Sequence, residues 1–286
     1  MCHIVPSGRV PTPSPARQEL TVDVTGSTAL ITGASGGIGA GIARALAARG
    51  ADLVLVARSA DKLEALAADL RARHGRDVLV VPLDLSTPGA GARVQEALSG
   101  RTVDVLVNNA GFGVTGRLAE TEDPDRLSAM ITLNCTTLTD LTARFLPAMV
   151  QRRRGAVVNI ASMAAYLPAP GFAAYAATKA FVLSLSQALW AETRGTGVRV
   201  AALSPTVTDT GFFDVAGENA SGGMRRRSVD QVVATFLDTL DGDRPVVVDG
   251  RRNEVLAAAA HLVPRGPLLR LVGPRFADRV ATAPAG

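Results

Sequence analysis

The stretch TALITGASGGIGAGIARALAARG, residues 28–50, joins a short apolar run, a glycine-rich turn and a segment of helical periodicity. Gly33, Gly37 and Gly39 give the turn the spacing G-x-x-x-G-x-G. Glycines allow a tight turn and let main-chain N–H groups approach an anion, which the positive end of the following helix also attracts. A glycine-rich turn can also serve only to end a strand. Here a strand precedes the turn and a helix follows it, and this context supports the prediction of a pyrophosphate cradle.

Outward from this unit, apolar runs rich in β-branched residues alternate with longer segments of helical periodicity. The predicted strands are 28–32, 52–57, 78–84, 104–110, 156–162, 198–204 and 245–250, and the predicted helices are 37–49, 59–73, 90–99, 124–152, 173–194 and 229–240. Strands that are apolar at consecutive positions are buried on both faces. The pattern predicts an α/β fold, a single Rossmann-type doubly wound parallel sheet of about seven strands flanked by helices on both faces.

Composition limits the classes of protein that this chain can be. With 286 residues, 47% of them hydrophobic and 20% charged, it has enough apolar material for one large core. The net charge is +4, but the arginines are scattered without interleaved aromatics, so no nucleic-acid partner is expected. Cys2 and Cys135 are too few for a disulfide framework, which fits a reducing cytoplasm. No metal is expected, since no ligand spacing joins the cysteines to His3, His74 or His261.

The end of the second predicted strand indicates which dinucleotide would bind. An acidic residue there holds the ribose 2′-hydroxyl of NAD, but LVLVARS (53–59) places Arg58 at this point. A planar guanidinium suits a 2′-phosphate, with added hydrogen bonds from Ser35 and Ser59, so NADP(H) is predicted in preference to NAD(H). If Arg58 is only a surface arginine, NAD(H) is the alternative. Asp84, at the end of the third strand, is predicted to meet the adenine edge.

Four motifs occur together in a fixed order: TGASGGIG (32–39), NNAG (108–111), Ser162 and YAATK (175–179). On these motifs the chain resembles the short-chain dehydrogenase/reductase family in its compact single-domain form, from about residue 25 to residue 250. The resemblance implies a cofactor site at Gly33, Ser35, Gly37, Ile38, Gly39, Arg58, Asp84, Leu85, Asn108, Asn109, Ala110, Gly111, Tyr175, Lys179, Pro205, Thr208 and Thr210.

The chemistry of YAATK explains why a chain with only two tyrosines uses one here. Hydride transfer to a carbonyl leaves an alkoxide that needs a proton, and a tyrosine with an ordinary pKa near 10 is about three units too weak an acid for reversible work at neutral pH. A cation at i+4 shares its helix face and lowers that pKa. We therefore predict that Tyr175 is the acid/base and that Lys179 tunes it and binds the nicotinamide ribose.

The resemblance also implies that Ser162 holds the substrate oxygen and that Asn134 completes a catalytic tetrad by anchoring a water to Lys179. The chain departs from the family at Pro205-Thr206, where the family usually has Pro-Gly. A threonine in place of glycine restricts the backbone there.

The predicted substrate pocket is apolar. The glycines and phenylalanines of GFFDVAGENASGGMRRRS (211–228) are typical of a mobile lid, and Arg225, Arg226 and Arg227 within it are interpreted as a solvated cluster rather than a binding site for an anionic carrier. The pocket residues proposed are Phe112, Met163, Tyr166, Leu167, Phe212 and Phe213.

The domain limits follow from these assignments. Residues 1–24, with four prolines and no signal-peptide core, are predicted to be a disordered lead-in, and residues 25–252 the NAD(P)-binding Rossmann catalytic domain. Residues 253–286 form a C-terminal extension, packed on the domain or partly disordered; contact with a substrate mouth or a membrane surface is less favoured. The segment 251–271 resembles the DltE-like subgroup. No apolar run is long enough to span a membrane.

These features predict an NADP(H)-dependent oxidoreductase that interconverts a carbonyl and an alcohol on a fairly apolar small molecule or acyl substrate. Two alternatives stay open: an NAD-linked alcohol dehydrogenase and a dinucleotide-sensing protein without turnover. The helix 173–194 is apolar on more than one face, and in the family it forms a two-fold interface, so a homodimer or homotetramer is expected.

Overall fold

The computed structural model describes residues 22–210 and 226–262, with a few separate positions beyond them. Nearly all of the predicted lead-in, residues 1–24, lies outside the described residues. The same holds for 211–225, which includes most of the predicted lid, and for most of the chain after 262.

Strands and helices alternate along the chain as predicted. The strands are β1 (Thr28–Thr32), β2 (Asp52–Ala57), β3 (Val78–Pro82), β4 (Val105–Asn108), β5 (Gly155–Ile160), β6 (Val198–Ser204) and β7 (Val246–Val248). The α-helices of the described chain are α1 (Gly37–Ala48), α2 (Ala60–His74), α3 (Ala90–Ala97), α4 (Pro124–Ile131), α5 (Leu138–Arg152), α6 (Ala173–Glu192), α7 (Val229–Asp241) and α8 (Arg251–Leu262). A π-helical turn (Thr132–Thr137) joins α4 to α5, and Leu118–Glu120 and Met163–Ala165 are short 3₁₀ turns.

The seven strands form one parallel sheet in the order β3-β2-β1-β4-β5-β6-β7. Within it Ile31 of β1 lies opposite Leu55 of β2 on one side and Val107 of β4 on the other. The strand order reverses between β1 and β4, and the crevice at such a switch point is where doubly wound sheets bind ligands. The predicted fold class is confirmed.

Each face of the sheet is covered by its own helices, as the unbroken apolar strands predicted. Ala29, Ile31, Leu53 and Leu55 pack with residues of α1, α2 and α7. Leu30, Val54 and Val56 alternate with them and pack with residues of α3 and α5 on the other face. Because successive strand residues point to opposite faces, both sets must be apolar.

The sequence overextends some strands and misses one irregularity. The predicted strands 78–84 and 104–110 end earlier, at Pro82 and Asn108, so Asp84 and Asn109 lie in loops at the ligand edge of the sheet. The single helix predicted over 124–152 contains the π-helical turn Thr132–Thr137. A π-turn fits one extra residue into the helix and is invisible to a search for 3.6-residue periodicity, yet such turns often lie at functional sites.

Candidate active site

The glycine-rich turn between β1 and α1 has the backbone that a phosphate cradle requires. Gly33 and Gly37 adopt positive φ angles of 67° and 51°, which favour glycine. A Cβ at Gly39 would collide with the Gly33 carbonyl oxygen and lie 2.6 Å from Asn109 Nδ2. Because α1 begins at Gly37, its free N–H groups face this turn. The glycines therefore leave room for an anion at a helix N-terminus, as the pyrophosphate of a dinucleotide requires.

Asn109 braces this turn from β4. Its Nδ2 donates to the carbonyl oxygens of Thr32 at 2.9 Å and Gly33 at 3.3 Å. The main-chain N–H groups of Asn109 and Ala110 both donate to the Thr32 hydroxyl at 2.9 Å. The neighbouring strand thus fixes the turn before any ligand is bound.

The side chain of Asn108 lies in the interior, where it is 3% exposed. It is buried, and its Nδ2 donates to Thr142 Oγ1 at 3.0 Å and to Asn159 Oδ1 at 2.9 Å. Asn159 in turn donates to Ser186 on α6 at 2.9 Å. This polar network ties β4 and β5 to α6, the helix that carries the predicted catalytic residues Tyr175 and Lys179.

At the far end of the cleft, Arg58 follows β2 and is exposed. Asp84 accepts hydrogen bonds from the backbone N–H of Ser86 at 2.9 Å and from its hydroxyl at 2.6 Å. Burial acts to raise the pKa of Asp84, but the Ser86 hydrogen bonds and the charges of Arg58 and Arg93 outweigh it and hold the pKa below its ordinary value. Within the described residues Arg58 forms no ion pair, which leaves its guanidinium available to an anionic ligand.

Ser162, Tyr175 and Lys179 lie together at the ends of β5 and α6, as predicted. Ser162 caps the 3₁₀ turn that follows β5 by accepting the Ala164 N–H at 3.1 Å, and its hydroxyl hydrogen-bonds Tyr175. Lys179 is 5% exposed, its Nζ donates to the Ile160 carbonyl at 2.8 Å, and it lies 5.8 Å from the centre of the Tyr175 ring. An acid and a cation therefore share one buried helix face.

The pKa values of this pair are shifted in directions that the sequence did not fully predict. Burial raises the pKa of Tyr175 to about 12, and the hydrogen bond with Ser162 offsets part of the rise. Burial lowers the pKa of Lys179 to about 8, although the coulombic influence of Cys135 opposes this. The predicted lowering of the Tyr175 pKa by Lys179 is thus not seen in this structure. The reason is that both groups are withdrawn from water and the ammonium is directed at Ile160.

Asn134 lies in the π-helical turn and is 1% exposed. Its Nδ2 donates to the Phe112 carbonyl at 3.0 Å and to Thr178 Oγ1 at 3.1 Å, while its Oδ1 accepts the Phe112 N–H at 3.3 Å. A Cβ at Gly111 would lie 2.9 Å from Asn134 Oδ1 and 3.5 Å from Lys179 Nζ, so Gly111 separates the two polar groups. The glycine keeps open the space between Asn134 and Lys179.

The loop after β6 adjoins both the glycine turn and the segment that follows Ser162. The Pro205 carbonyl accepts the Met163 N–H at 3.0 Å, and a Cβ at Gly37 would come within 3.0 Å of Thr210 Cγ2. Thr208 Oγ1 donates to the Thr206 carbonyl at 3.0 Å. Thr206, the departure from the family pattern, has its hydroxyl oxygen buried without a hydrogen-bond partner among the described residues.

A buried ion pair anchors this loop, which corrects the interpretation of Arg227 as a solvated residue, whereas Arg226 is exposed as predicted. Arg227 exchanges main-chain hydrogen bonds with Val207 at 2.8 Å and Asp209 at 2.9 Å. Its Nε lies 2.5 Å from Oδ2 of Asp249, a carboxylate with 0% exposure that also accepts from Thr235 at 2.6 Å. A buried carboxylate needs a cation, so Arg227 serves the fold. Arg226 pairs at 3.5 Å with Asp209, and Arg225 lies outside the described residues.

The predicted substrate pocket is described only in part. Met163, which follows Ser162, and Phe112, which is hydrogen-bonded to Asn134, are half-buried, and Leu167 is 38% exposed. The Tyr166 hydroxyl is 3.1 Å from Ser204 Oγ, and burial raises the pKa of Tyr166. Phe212 and Phe213 lie outside the described residues.

Some functional residues escaped sequence analysis. Thr178 lies inside YAATK and joins α6 to Asn134, but a threonine within a helix gives no signal of its own. The Arg227–Asp249 pair depends on two residues brought together only by folding. Across the ranges that the structure describes, no three histidine, cysteine or acidic side chains are grouped as metal ligands would be. The helices in those ranges are too short or too polar to cross a bilayer.

Comparison with known proteins agrees with this site. The family model for short chain dehydrogenases matches residues 27–220, so the chain belongs to the short-chain dehydrogenase family. The chain is 31% identical over 243 residues to human 17-beta-hydroxysteroid dehydrogenase type 3, a match that covers 84% of the chain and 76% of that protein. It is 32% identical over 225 residues to a very-long-chain 3-oxoacyl-CoA reductase of Pyrenophora tritici-repentis, covering 77% of the chain and 66% of the relative.

Solved structures of the family give the same picture. A short-chain dehydrogenase from Sphingobium yanoikuyae in complex with NADPH is 39% identical with a TM-score of 0.76, covering 82% of this chain and 93% of that one. The bulky-bulky ketone specific alcohol dehydrogenase of Comamonas testosteroni is 33% identical with a TM-score of 0.71 over the same shares. The chain is thus an oxidoreductase of a family that works on carbonyl and alcohol groups with a nicotinamide cofactor. The DltE-like subgroup stays a prediction.

Proposed function

We propose that this protein is an NADP(H)-dependent reductase of fairly apolar ketones, aldehydes or acyl substrates, with Tyr175 as its acid/base. The observation that carries the proposal is the buried group of Ser162, Tyr175 and Lys179 beside a glycine turn shaped for a pyrophosphate. When bound, the nicotinamide supplies the hydride and, in its oxidised form, a positive charge.

The chain's own residues perform the acid–base part of the reaction. A tyrosine with a pKa of about 12 is fully protonated at neutral pH and can donate its proton to a developing alkoxide. Ser162, already hydrogen-bonded to Tyr175, can donate to the same oxygen and hold it in place. Lys179, with a pKa of about 8, can give up and regain a proton near neutral pH, as a relay to the tyrosine requires. At neutral pH Tyr175 therefore holds the proton that carbonyl reduction requires.

The preference for NADP(H) is part of the proposal and rests on Arg58. Its guanidinium is exposed at the end of β2, and Asp84 already has Ser86 as a hydrogen-bonding partner. A 2′-phosphate would accept charge-assisted hydrogen bonds from Arg58, with Ser35 and Ser59 beside it. The neighbour solved with NADPH supports this choice.

The substrate class is proposed from the pocket and the relatives. The described pocket residues Phe112, Met163 and Leu167 are apolar. The relatives are named for a steroid, a very-long-chain acyl thioester and bulky ketones, which share a large apolar body next to a carbonyl or alcohol. We therefore propose a substrate of this kind.

Assembly and compartment complete the proposal. Ile131 of α4 and Phe181 of α6 are 46% and 42% exposed, and such apolar surface on two helices that contact each other supports a homodimer or homotetramer. Cys135 is a free thiol, in keeping with a reducing cytoplasm.

The test follows NADPH and NADH oxidation by the purified protein against a panel of apolar ketones, aldehydes and 3-oxoacyl thioesters, with Tyr175→Phe alongside. We expect turnover with NADPH that Tyr175→Phe lowers by about 10³-fold while NADPH binding is retained. Faster turnover with NADH would establish the NAD-linked alternative. Tight NADPH binding with equal, negligible turnover of both proteins across the panel would favour the sensing protein.

A further inference from the structure

The C-terminal helix α8 is arranged in the opposite way to an ordinary surface helix. Its inward contact is a small residue, Ala257, which is 3% exposed. Its large aliphatic residues face outward: Val255 is 68% exposed, Leu256 60% and Leu262 85%. A surface helix normally buries its large apolar side chains against the core. The outward face of α8 is therefore apolar but is not used to pack the helix against the described part of the domain.

Polar interactions fix the helix in this orientation at its first turn. Asn253 Nδ2 donates to the Asp249 carbonyl at 2.7 Å, and Glu254 forms an ion pair with Arg244. That pair neutralises the acidic side chain of α8. Arg251 and Arg252, next to it, are exposed and form no ion pair among the described residues. The N-terminal end of the apolar face thus carries two available cations.

The distribution of charge along the chain singles out the same region. Residues 251–286 contain six arginines and two acidic residues, a net charge of +4, which equals the net charge of the whole protein. The first 250 residues are therefore neutral overall. Exposed leucines and valines flanked by arginines suit an anionic bilayer, where the aliphatic groups enter the headgroup boundary and the guanidinium groups reach the phosphates.

We propose that the outward face of α8, formed by Arg251, Arg252, Val255, Leu256 and Leu262, binds peripherally to the surface of an anionic phospholipid bilayer. Apart from the two arginines, the face is aliphatic, because no side chain of VLAAAA (255–260) can form a hydrogen bond. It also lacks the aromatic anchors that are typical of protein interfaces. This binding is independent of the cofactor and substrate proposed above.

The test is co-sedimentation of the full-length protein with vesicles of phosphatidylcholine alone and of equal parts phosphatidylcholine and phosphatidylglycerol. We expect at least about tenfold tighter binding to the anionic vesicles, reduced by added salt. Arg251→Gln combined with Arg252→Gln should weaken binding by about thirtyfold, and Leu256→Ser combined with Leu262→Ser by about tenfold or more.

Two control variants distinguish binding through α8 from non-specific binding of vesicles to other exposed leucines and arginines. Leu118→Ser removes a leucine that is 63% exposed elsewhere, and Arg153→Gln with Arg154→Gln removes another exposed arginine pair; both should bind vesicles like the wild type. Equal binding to both vesicle types, or no binding, would overturn the proposal. A molar mass by light scattering that halves in Leu256→Ser/Leu262→Ser, with vesicle binding unchanged, would also overturn it and assign the face to an interface between copies.

Discussion

The two ends of the ligand cleft hold their loops by different means. At β1 and β4, the turn at Gly33–Gly39 is fixed by backbone conformation and by amide hydrogen bonds from Asn109. At β6 and β7, the loop at 205–210 is fixed by the buried charge pair Arg227–Asp249. The glycine turn depends on the close approach of its backbone to neighbouring atoms, so an added methyl group should disrupt it. The loop at 205–210 depends on a charged partner distant in sequence, so removal of that charge should disrupt it.

The largest effect is expected at the charge pair. Asp249→Asn leaves the partly buried Arg227 without its partner and should lower the free energy of unfolding by about 3–5 kcal/mol in urea titrations. The Michaelis constant for NADPH should rise as well, because the loop carrying Thr208 loses its anchor. Asp209→Asn, whose carboxylate side chain is 75% exposed, should change stability by less than about 1 kcal/mol. Equal stability of the two variants would contradict this account.

At the other end, a single methyl group should be enough to disrupt the cradle. Gly39→Ala places a Cβ against the Gly33 carbonyl and Asn109, and we expect a loss of about 3 kcal/mol in unfolding free energy and no measurable NADPH binding by calorimetry. Gly36→Ala is the control for stability, since its φ is 179° and a Cβ there meets nothing within 4 Å. If both variants are as stable as the wild type, the close approach is not the constraint.

Lys179, which lies between the two ends, should give a pH signature. Its folded pKa of about 8 lies below the ordinary 10.5, so the unfolded chain binds more protons between these values and stability from this group rises with pH. Between about pH 8 and 10 the wild type should gain about 2 kcal/mol over Lys179→Met in urea unfolding. Tyr175 acts oppositely only above its unfolded pKa of 10. A constant difference between the two proteins would show that Lys179 is not desolvated.

The smallest effect concerns the exposed end of the cofactor site. Arg58→Ala should raise the dissociation constant for NADPH by about tenfold and change that for NADH by less than about twofold, since only the former carries the phosphate. Arg73→Ala is the matched control, because Arg73 is a largely exposed cation near the other end of α2. Parallel losses for both cofactors in Arg58→Ala would remove the basis for the NADP(H) preference.

Much of the fold and the core of the site could be predicted because the evidence is local in sequence. The strand–turn–helix unit of residues 28–50 and the spacing of Tyr175 and Lys179 both depend on neighbours within a few residues. The π-helical turn that positions Asn134 could not be predicted, because it arises from packing and leaves the periodicity nearly intact. The raised pKa of Tyr175 could not be predicted either, because it depends on burial that no sequence spacing reports.

The sequence by itself determined the parallel sheet, the glycine turn and the spacing that places Tyr175 and Lys179 on one helix face, because periodicity and steric limits act between near neighbours. Only the tertiary structure decided that Arg227 meets Asp249, that Asn108 turns inward and that the aliphatic face of α8 turns outward. These outcomes depend on distances between residues far apart in the chain, and burial sets their energies.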